Sequence, residues 1–303
     1  MSTASGIPLD PDEPVGSVLA RLRKAAGLTG GQLGHRVGMS QPKISRIENG
    51  KGLPDPDDVG ILARALGAEE EIVLLLMDRA TGSRERMTDW TTGPMGLAGR
   101  QNTIGHWENA TRSLRVFQPA VVPGLLQSSG YAKAILEDFQ LLVFTDLRDR
   151  AVAVAEAVSA RIRRQEVLND HDRSFHFVMT EAVLSNRVCP PQEMLAQLLR
   201  LREAAAQENV TIGIVAADAP LSTPPFHGFE LLDDRLVNVD LFTSGLISQG
   251  RTQAHLYRQV FDSLAAAATT EIEPVLDRYE ALYLRLAQQE RHIITEPGGR
   301  ASA

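Results

Sequence analysis

Residues 29–55, TGGQLGHRVGMSQPKISRIENGKGLPD, decide how the first part of this chain folds. A segment from about Thr29 to Val37 is closed by Gly38, a residue type favoured just past a helix end. Ser40 stands at the cap position of the next segment, about Gln41 to Asn49, and Gly50 stops it. On a helical wheel Ile44 and Ile47 fall together, whereas Gln41, Pro42, Ser45, Arg46 and Asn49 spread over an opposite arc of about 140°. Pro42 costs little there, because N–H groups of a first turn have no intrahelical acceptor. A thin apolar back with a hydrogen-bonding front suits insertion into a DNA major groove. Gln can pair with adenine and Arg or Lys with guanine.

Working outward, SVLARLRKAAG (17–27) has helical spacing and ends on Gly27. Asp55 or Asp57 can cap a fourth helix with Val59, Leu62, Ala63 and Leu66 on one face. A fifth, from Glu69 to Met77, carries acids in its first turn, where the helix dipole favours them. Residues 15–78 are therefore expected to form an all-α, five-helix helix-turn-helix domain, preceded by a disordered arm over 1–14.

The chain has 303 residues and a net charge of −7, which at first argues against a nucleic-acid partner. Its distribution reverses that impression: Val15 to Pro54 holds seven Lys/Arg against one acid, +6 locally, leaving −13 elsewhere. Phosphate neutralisation depends on local cations, not on the chain total.

Residues 79–105 hold several glycines and lack a sustained apolar period, so they read as a linker, pinned by Trp90. Beyond it, strands are expected at 113–118, 174–180, 210–215, 228–232 and 236–242. Helices are expected at about 129–137, 147–168, 191–207, 250–267 and 271–290. That alternation gives a multidomain protein whose second domain, 106–292, is mixed α+β, followed by a tail over 293–303.

Other function classes find little support. No window reaches the roughly 18 apolar residues of a bilayer span, and MSTASGIPLDPDEPVG lacks the features of a signal peptide. The one cysteine, Cys189, allows no internal disulfide and no cysteine-based zinc site. There is no HExxH, GxSxG, P-loop or GxGxxG. A cytoplasmic protein without enzymatic activity, cofactor or metal is expected.

The run 29–55 resembles the helix-turn-helix of the phage-repressor-like XRE family, in Gly38, Ser40, the ISRIENG block and Lys51. The resemblance implies that Gln41, Pro42 and Arg46 face bases, with Ser40 and Ser45 on the same surface. It places Lys43 at the groove edge and Asn49 and Lys51 on the DNA backbone, and it makes Arg23 and Glu48 an ion pair between the first and third helices. Where the family offers a glutamine to a phosphate, this chain has Gly30 and Gly31, whose backbone N–H groups could serve instead. One reading helix touches few base pairs, so a homodimer on an inverted repeat of double-stranded DNA is expected, its contact lying beyond Trp90.

FQPAVVPGLLQSSGYAKAIL (117–136), SARIRRQEVL (159–168) and the FHFVMTEAVL…MLAQLLRL…NVTIGIV succession (175–215) resemble the C-terminal, antitoxin-like domain of actinobacterial XRE-type regulators. RVCPPQE (187–193) stands where that family has a glycine-containing run. The resemblance implies a regulator encoded with a small partner protein and names no ligand; control of its activity by a small-molecule effector or by such a partner at the C-terminal domain is expected. An antitoxin-like module that binds such a partner and autoregulates its own operon is the alternative, and the residues do not choose. Three segments combine apolar residues with a few polar groups and could converge on a ligand or partner site: Pro123, Leu126 and Gln127 with Tyr131; Arg161, Arg164 and Gln165; and His176 to Glu181. The competing structural account has the arginines pairing with Glu181 or neighbouring acids.

Overall fold

The structure, a computed structural model, describes residues 13–51, 54–84, 86–89, 96–143, 150–242 and 244–295. It divides into two compact units, Met1–Met87 with Leu246–Leu256, and Thr88–Gly245 with Tyr257–Ala303. Trp90, residues 1–12 of the expected arm and residues 296–303 of the expected tail lie outside the described residues.

The first unit contains α1 (Val15–Ala25), α2 (Gly30–Val37), α3 (Gln41–Glu48), α4 (Pro56–Ala65) and α5 (Glu70–Arg84). Each boundary has a chemical cause. Thr29 and Gln32 form a reciprocal capping box at the start of α2, and Gly38 ends it in the left-handed conformation at φ 69. Ser40 occupies the cap position of α3 without a side-chain capping bond, and its carbonyl accepts from Lys43 and Ile44 N–H. Asp55 caps α4 through the Asp57 N–H. The apolar stripes of these helices meet in one core, with Val18, Leu19, Leu33, Ile44, Val59, Leu62 and Leu76 all nearly inaccessible to solvent. The fifth helix continues past Met77, the expected end, to Arg84.

The segment 79–105 is not simply a linker. It holds the last turns of α5, the strand β1 (Arg86–Asp89) and most of α6 (Gly96–Asn109). Glycines hide α6 from a periodicity reading, and one has a structural reason. A Cβ on Gly105 would stand 2.9 Å from Cγ of Arg164, so only glycine lets that arginine's stem cross the helix.

The second unit is built on β2 (Ser113–Gln118), β3 (Ser174–Thr180), β4 (Val210–Val215), β5 (Phe229–Leu232) and β6 (Leu236–Asp240). β7 (Ser244–Ser248) crosses the division, and β8 (Ala268–Thr269) is a short edge strand. Within the unit the strand order is β6-β5-β2-β3-β4-β8. β2, β3 and β4 are mutually parallel, with Val116 opposite Phe177 and Phe177 opposite Ile212. β5 and β6 join antiparallel to β2, and β8 antiparallel to β4. The sheet is therefore mixed, as expected for an α+β domain.

The parallel neighbours require helical crossovers. α7 (Ser129–Val143) and α8 (Arg150–Arg164), followed by a 3-10 turn at Gln165–Asn169, connect β2 to β3. α9 (Ala182–Ser185) and α10 (Pro191–Ala205) connect β3 to β4. Pro191 sits in the first turn of α10, so RVCPPQE works as a helix start. α11 (Arg251–Ala266) and α12 (Glu273–Thr295) complete the chain. Tyr131, Phe177, Met194, Leu201 and Leu276 lie at the centre of the core. Among the described residues no helix is long and apolar enough to cross a membrane.

Candidate functional site

In the first unit, α3 is held from behind and open in front. Ile44 and Ile47 are buried, while Gln41, Pro42, Arg46, Asn49 and Lys51 are exposed and Lys43 and Ser45 half-buried. Arg46 lies back along its helix, Nε donating to the Pro42 carbonyl at 3.3 Å. Asn49 Nδ2 donates to the Ser45 carbonyl at 2.7 Å, and the Lys51 N–H closes the helix end on the Arg46 carbonyl.

Two devices fix the attitude of α3. Arg23 on α1 makes a two-pronged bond to Glu48, Nε to Oε1 at 2.6 Å and Nη2 to Oε2 at 2.7 Å, and its Nη1 donates to the Leu28 carbonyl. The hydrogen bond to Glu48 raises the guanidinium's pKa above its ordinary value. Gly16 on α1 meets α3 backbone to backbone, since a Cβ there would stand 2.2 Å from the Ile47 carbonyl oxygen.

Lys43 differs from the expectation of a cation at the groove edge. Its Nζ is bound to Asp58 at 2.7 Å, and that carboxylate is 6% exposed. Asp58 also accepts from Arg251 Nη2 at 2.5 Å, and Arg251 Nε reaches Asp55 at 2.9 Å. Beside α3, a groove lined by Lys24, Gly30, Gln41, Ser45 and Asn49 separates it from α1 and the start of α2. Gly30 thus stands next to Gln41, and the α2 N-terminus opens on the same groove as the polar face.

In the second unit, two of the three expected segments converge and the third does not. Gln127 of the PGLLQ run receives Arg161 Nη1 on its Oε1 at 2.7 Å, and its Nε2 donates to the Val122 carbonyl at 2.7 Å. Gln165 Nε2 donates to the Gln127 carbonyl at 2.7 Å, binding the two motifs together. Pro123 caps the 3-10 turn Gly124–Leu126, and Leu126 is core. Tyr131 is also fully buried, its hydroxyl accepting from the Val122 N–H, and burial pushes its pKa up to about 12.

His176 and Glu181 serve elsewhere. The His176 ring packs edge-on against Phe261 at 4.9 Å, and burial lowers its pKa. Glu181 accepts from Arg278 Nη2 at 2.7 Å, the Tyr279 hydroxyl at 2.9 Å and the Ala217 N–H at 3.1 Å, tying α12 to the end of β3. Neither lines the cavity that the arginines reach: His176 packs against α11 and Glu181 against α12.

That cavity, of about 380 Å³, is bounded by α6, α7, α8, the loop after β2 and the strands β5 and β6. Its apolar wall includes Ile104, Val121, Val122, Ile135 and Leu136, with Leu241 and Phe242 at an exposed rim. Its polar wall includes Arg100, Gln101, Arg161, Arg164, Glu230 and Asp240. Arg164 is committed: Nε and Nη2 bind Glu108 at 2.9 and 2.6 Å and Nη1 binds Gln101 at 2.5 Å. Its carboxylate partner is Glu108, not Glu181. Arg100 pairs with Asp240 at 2.7 Å. Burial, reinforced by the charges of Glu108 and Asp240, raises the Glu230 carboxyl to about 7.

Sequence reading missed Arg100 and Gln101, which lie on the part of α6 inside the supposed linker, and Glu108, which lies on the same helix just past it. It missed Glu230 and Asp240 because isolated acids on alternating strands give no local signal. Cys189 is buried, and burial pushes its thiol up to about 11. Among the described residues no group of three or more His, Cys, Asp or Glu is placed to hold a metal ion.

Residues 101–275 match the family model described as "Domain of unknown function (DUF5753)", and this match covers more than half of the chain. The chain belongs to the DUF5753 family. Residues 15–75 match a second model, described as "Helix-turn-helix domain", so the DUF5753 domain follows a helix-turn-helix domain, an arrangement consistent with the expected XRE-type resemblance.

No curated protein matches the chain. Among solved structures, a phospholipase D family member, Nuc from Salmonella typhimurium, is similar at 8% identity and a TM-score of 0.34 over 61% of this chain and 95% of its own. TrmBL2, an archaeal chromatin protein described with a novel mode of DNA binding, is similar at 12% identity and a TM-score of 0.31 over 86% of this chain and 100% of its own. Neither likeness is close enough to bear on the function of the DUF5753 domain.

Proposed function

We propose that the protein is a sequence-specific transcriptional regulator, a homodimer that reads an inverted repeat with α3 and is controlled through its C-terminal unit. The observation that carries the reading is the division of α3 into a buried Ile44–Ile47 back and an exposed Gln41, Pro42, Arg46 and Asn49 front. A surface helix needs no such support behind it. This one is fixed by a bidentate ion pair and a glycine contact, which is what a reading element requires to hold register on base edges.

In this reading Gln41 and Arg46 take the bases, the latter after leaving its weak 3.3 Å contact with Pro42. Ser40, Ser45, Asn49, Lys51 and the Gly30 N–H take phosphates and set orientation. Lys43 contributes only where a phosphate can draw it from Asp58. Two such heads on a dimer supply the specificity that one lacks.

The test is affinity selection from a randomised operator library with Arg46→Ala and Lys51→Ala. Arg46→Ala is expected to cost roughly 1–3 kcal/mol and to relax the preference at one base position. Lys51→Ala is expected to weaken all sequences alike and to flatten the salt dependence by about one unit. A uniform loss across the library for both variants would remove Arg46 from the base-reading set.

A further inference from the structure

The three arginines of the cavity are not equivalent. Arg164 is saturated by Glu108 and Gln101, and Arg100 is paired with Asp240. Arg161 donates Nε to Gln101 Oε1 at 3.1 Å and Nη1 to Gln127 Oε1 at 2.7 Å, both neutral amide oxygens. Among the described residues no carboxylate pairs with it and no acceptor meets its Nη2, and the residue lines the cavity. Burial, then the neighbouring charges of Arg164 and Arg100, pull its pKa down to about 9, so it is still a cation at neutral pH but a poorly compensated one.

A desolvated guanidinium held only by neutral acceptors is costly unless an anion completes it. The remaining charges of the lining limit what that anion can be. With Arg164 paired to Glu108, Arg100 paired to Asp240 and the Glu230 carboxyl raised to about 7, Arg161 is the one lining cation among the described residues without a carboxylate, so a second negative charge on the occupant would find no partner. Beside the polar wall lie Ile104, Val121, Val122, Ile135 and Leu136, which can take up only hydrocarbon.

We propose that this cavity binds a small monocarboxylate with an apolar body, its carboxylate on Arg161 and its body against Val121, Ile135 and Leu136. The assignment rests on the reading of the C-terminal unit as the controlled part of the regulator, and it names the chemistry of the effector. Gln101 and Gln127 act as positioning residues, turning the guanidinium so that its remaining donor faces the cavity. Arg164 and Glu108 hold Gln101 in turn. A dicarboxylate or a phosphate monoester would leave a negative charge without a partner, and a neutral molecule of the same shape would leave the Arg161 cation unmet.

The experiment is calorimetric titration of the full chain at pH 6.5 with octanoate and phenylacetate, and with octanamide and phenylacetamide as neutral twins. At least one acid is expected to bind one per chain, with its amide roughly tenfold to a hundredfold weaker, the loss of one charge-assisted bond. Arg161→Met is expected to weaken the acid by a similar factor. Val121→Trp, which puts an indole where the apolar body would lie, is expected to abolish binding with an unchanged unfolding midpoint. Failure of both acids, equal binding of acid and amide, or binding that survives in Val121→Trp would each overturn the assignment, even if Arg161→Met did not fold. Acid binding that leaves operator affinity unchanged would overturn control through this unit but not the cavity's ligand class, so the two readings fail separately.

Discussion

Replacing Glu230 by glutamine removes one ionisable group from the cavity wall and keeps its shape. Glu230 Oε2 accepts from Asn238 Nδ2 at 3.1 Å, a bond glutamine's carbonyl can also accept. Burial raises the carboxyl from 4.5 to about 7, the charges of Glu108 and Asp240 push the same way, and Arg164 and Asn238 oppose them without prevailing. A group whose pKa is higher in the folded state contributes stability that is complete below its unfolded value. That stability is lost as pH rises through the folded one. The separation corresponds to about 3 kcal/mol, an upper bound because the carboxyl opens on the cavity and water there screens it. Glutamine is neutral throughout, so Glu230→Gln is expected to be more stable than the parent by at most about 1 kcal/mol at pH 5 and about 3 kcal/mol at pH 8. Urea unfolding at the two pH values, followed by tryptophan fluorescence, reads this out, because Trp90 and Trp107 both lie beyond α5. An equal gap at both pH values, or a variant less stable at pH 8, would mean that Glu230 is ionised in the fold and paired with Arg164. The charge balance inferred for the cavity would then be wrong.

Glu48→Ala strands Arg23 behind α3 and is expected to lower the unfolding midpoint of the helix-turn-helix unit by on the order of 10 °C, a loss of about 3 kcal/mol. An unchanged melting curve would reduce the pair to surface decoration. Gly16→Ala puts a methyl against the Ile47 carbonyl and is expected to cost about 1–3 kcal/mol and to reduce operator affinity by tilting α3; wild-type affinity and stability would show that the helices can part freely. Asp58→Asn loosens Lys43, so the slope of log affinity against log salt is expected to steepen by about one unit; an unaltered slope would show that DNA already draws Lys43 away. Cys189 is expected to resist iodoacetamide at pH 7.5 in the folded chain and to react on unfolding. Rapid labelling of the native protein would contradict its burial.

The helix-turn-helix was legible because its information is local. Thr29 with Gln32, Gly38, Pro42 and Gly50 mark helix ends within a few residues, and Ile44 with Ile47 announces the buried side. Most central strands were legible too, since runs such as SFHFVMT and VTIGIV are apolar enough to stand in only one place in a sheet. What failed was the stretch 79–105, where glycine content imitates a linker. Gly105 is a helix residue whose missing side chain serves Arg164, a partner 59 positions away.

The C-terminal site divides along the same line. The sequence by itself marks PGLLQ and RxxRQ as two motifs of unusual composition, and their meeting through Gln127, Arg161 and Gln165 follows from how α8 packs behind the turn after β2. Tertiary structure alone decided that Arg164 is closed off by Glu108 while Arg161, three residues earlier on the same helix, is not. It also decided that His176 and Glu181 belong to other contacts, and that Glu230 and Asp240 face the arginines. The physical reason is range. Caps, turns and helical faces are set by neighbours within about one turn, whereas the ionisation and pairing of a buried charge depend on every group within a few ångströms, whichever strand or helix brings it there.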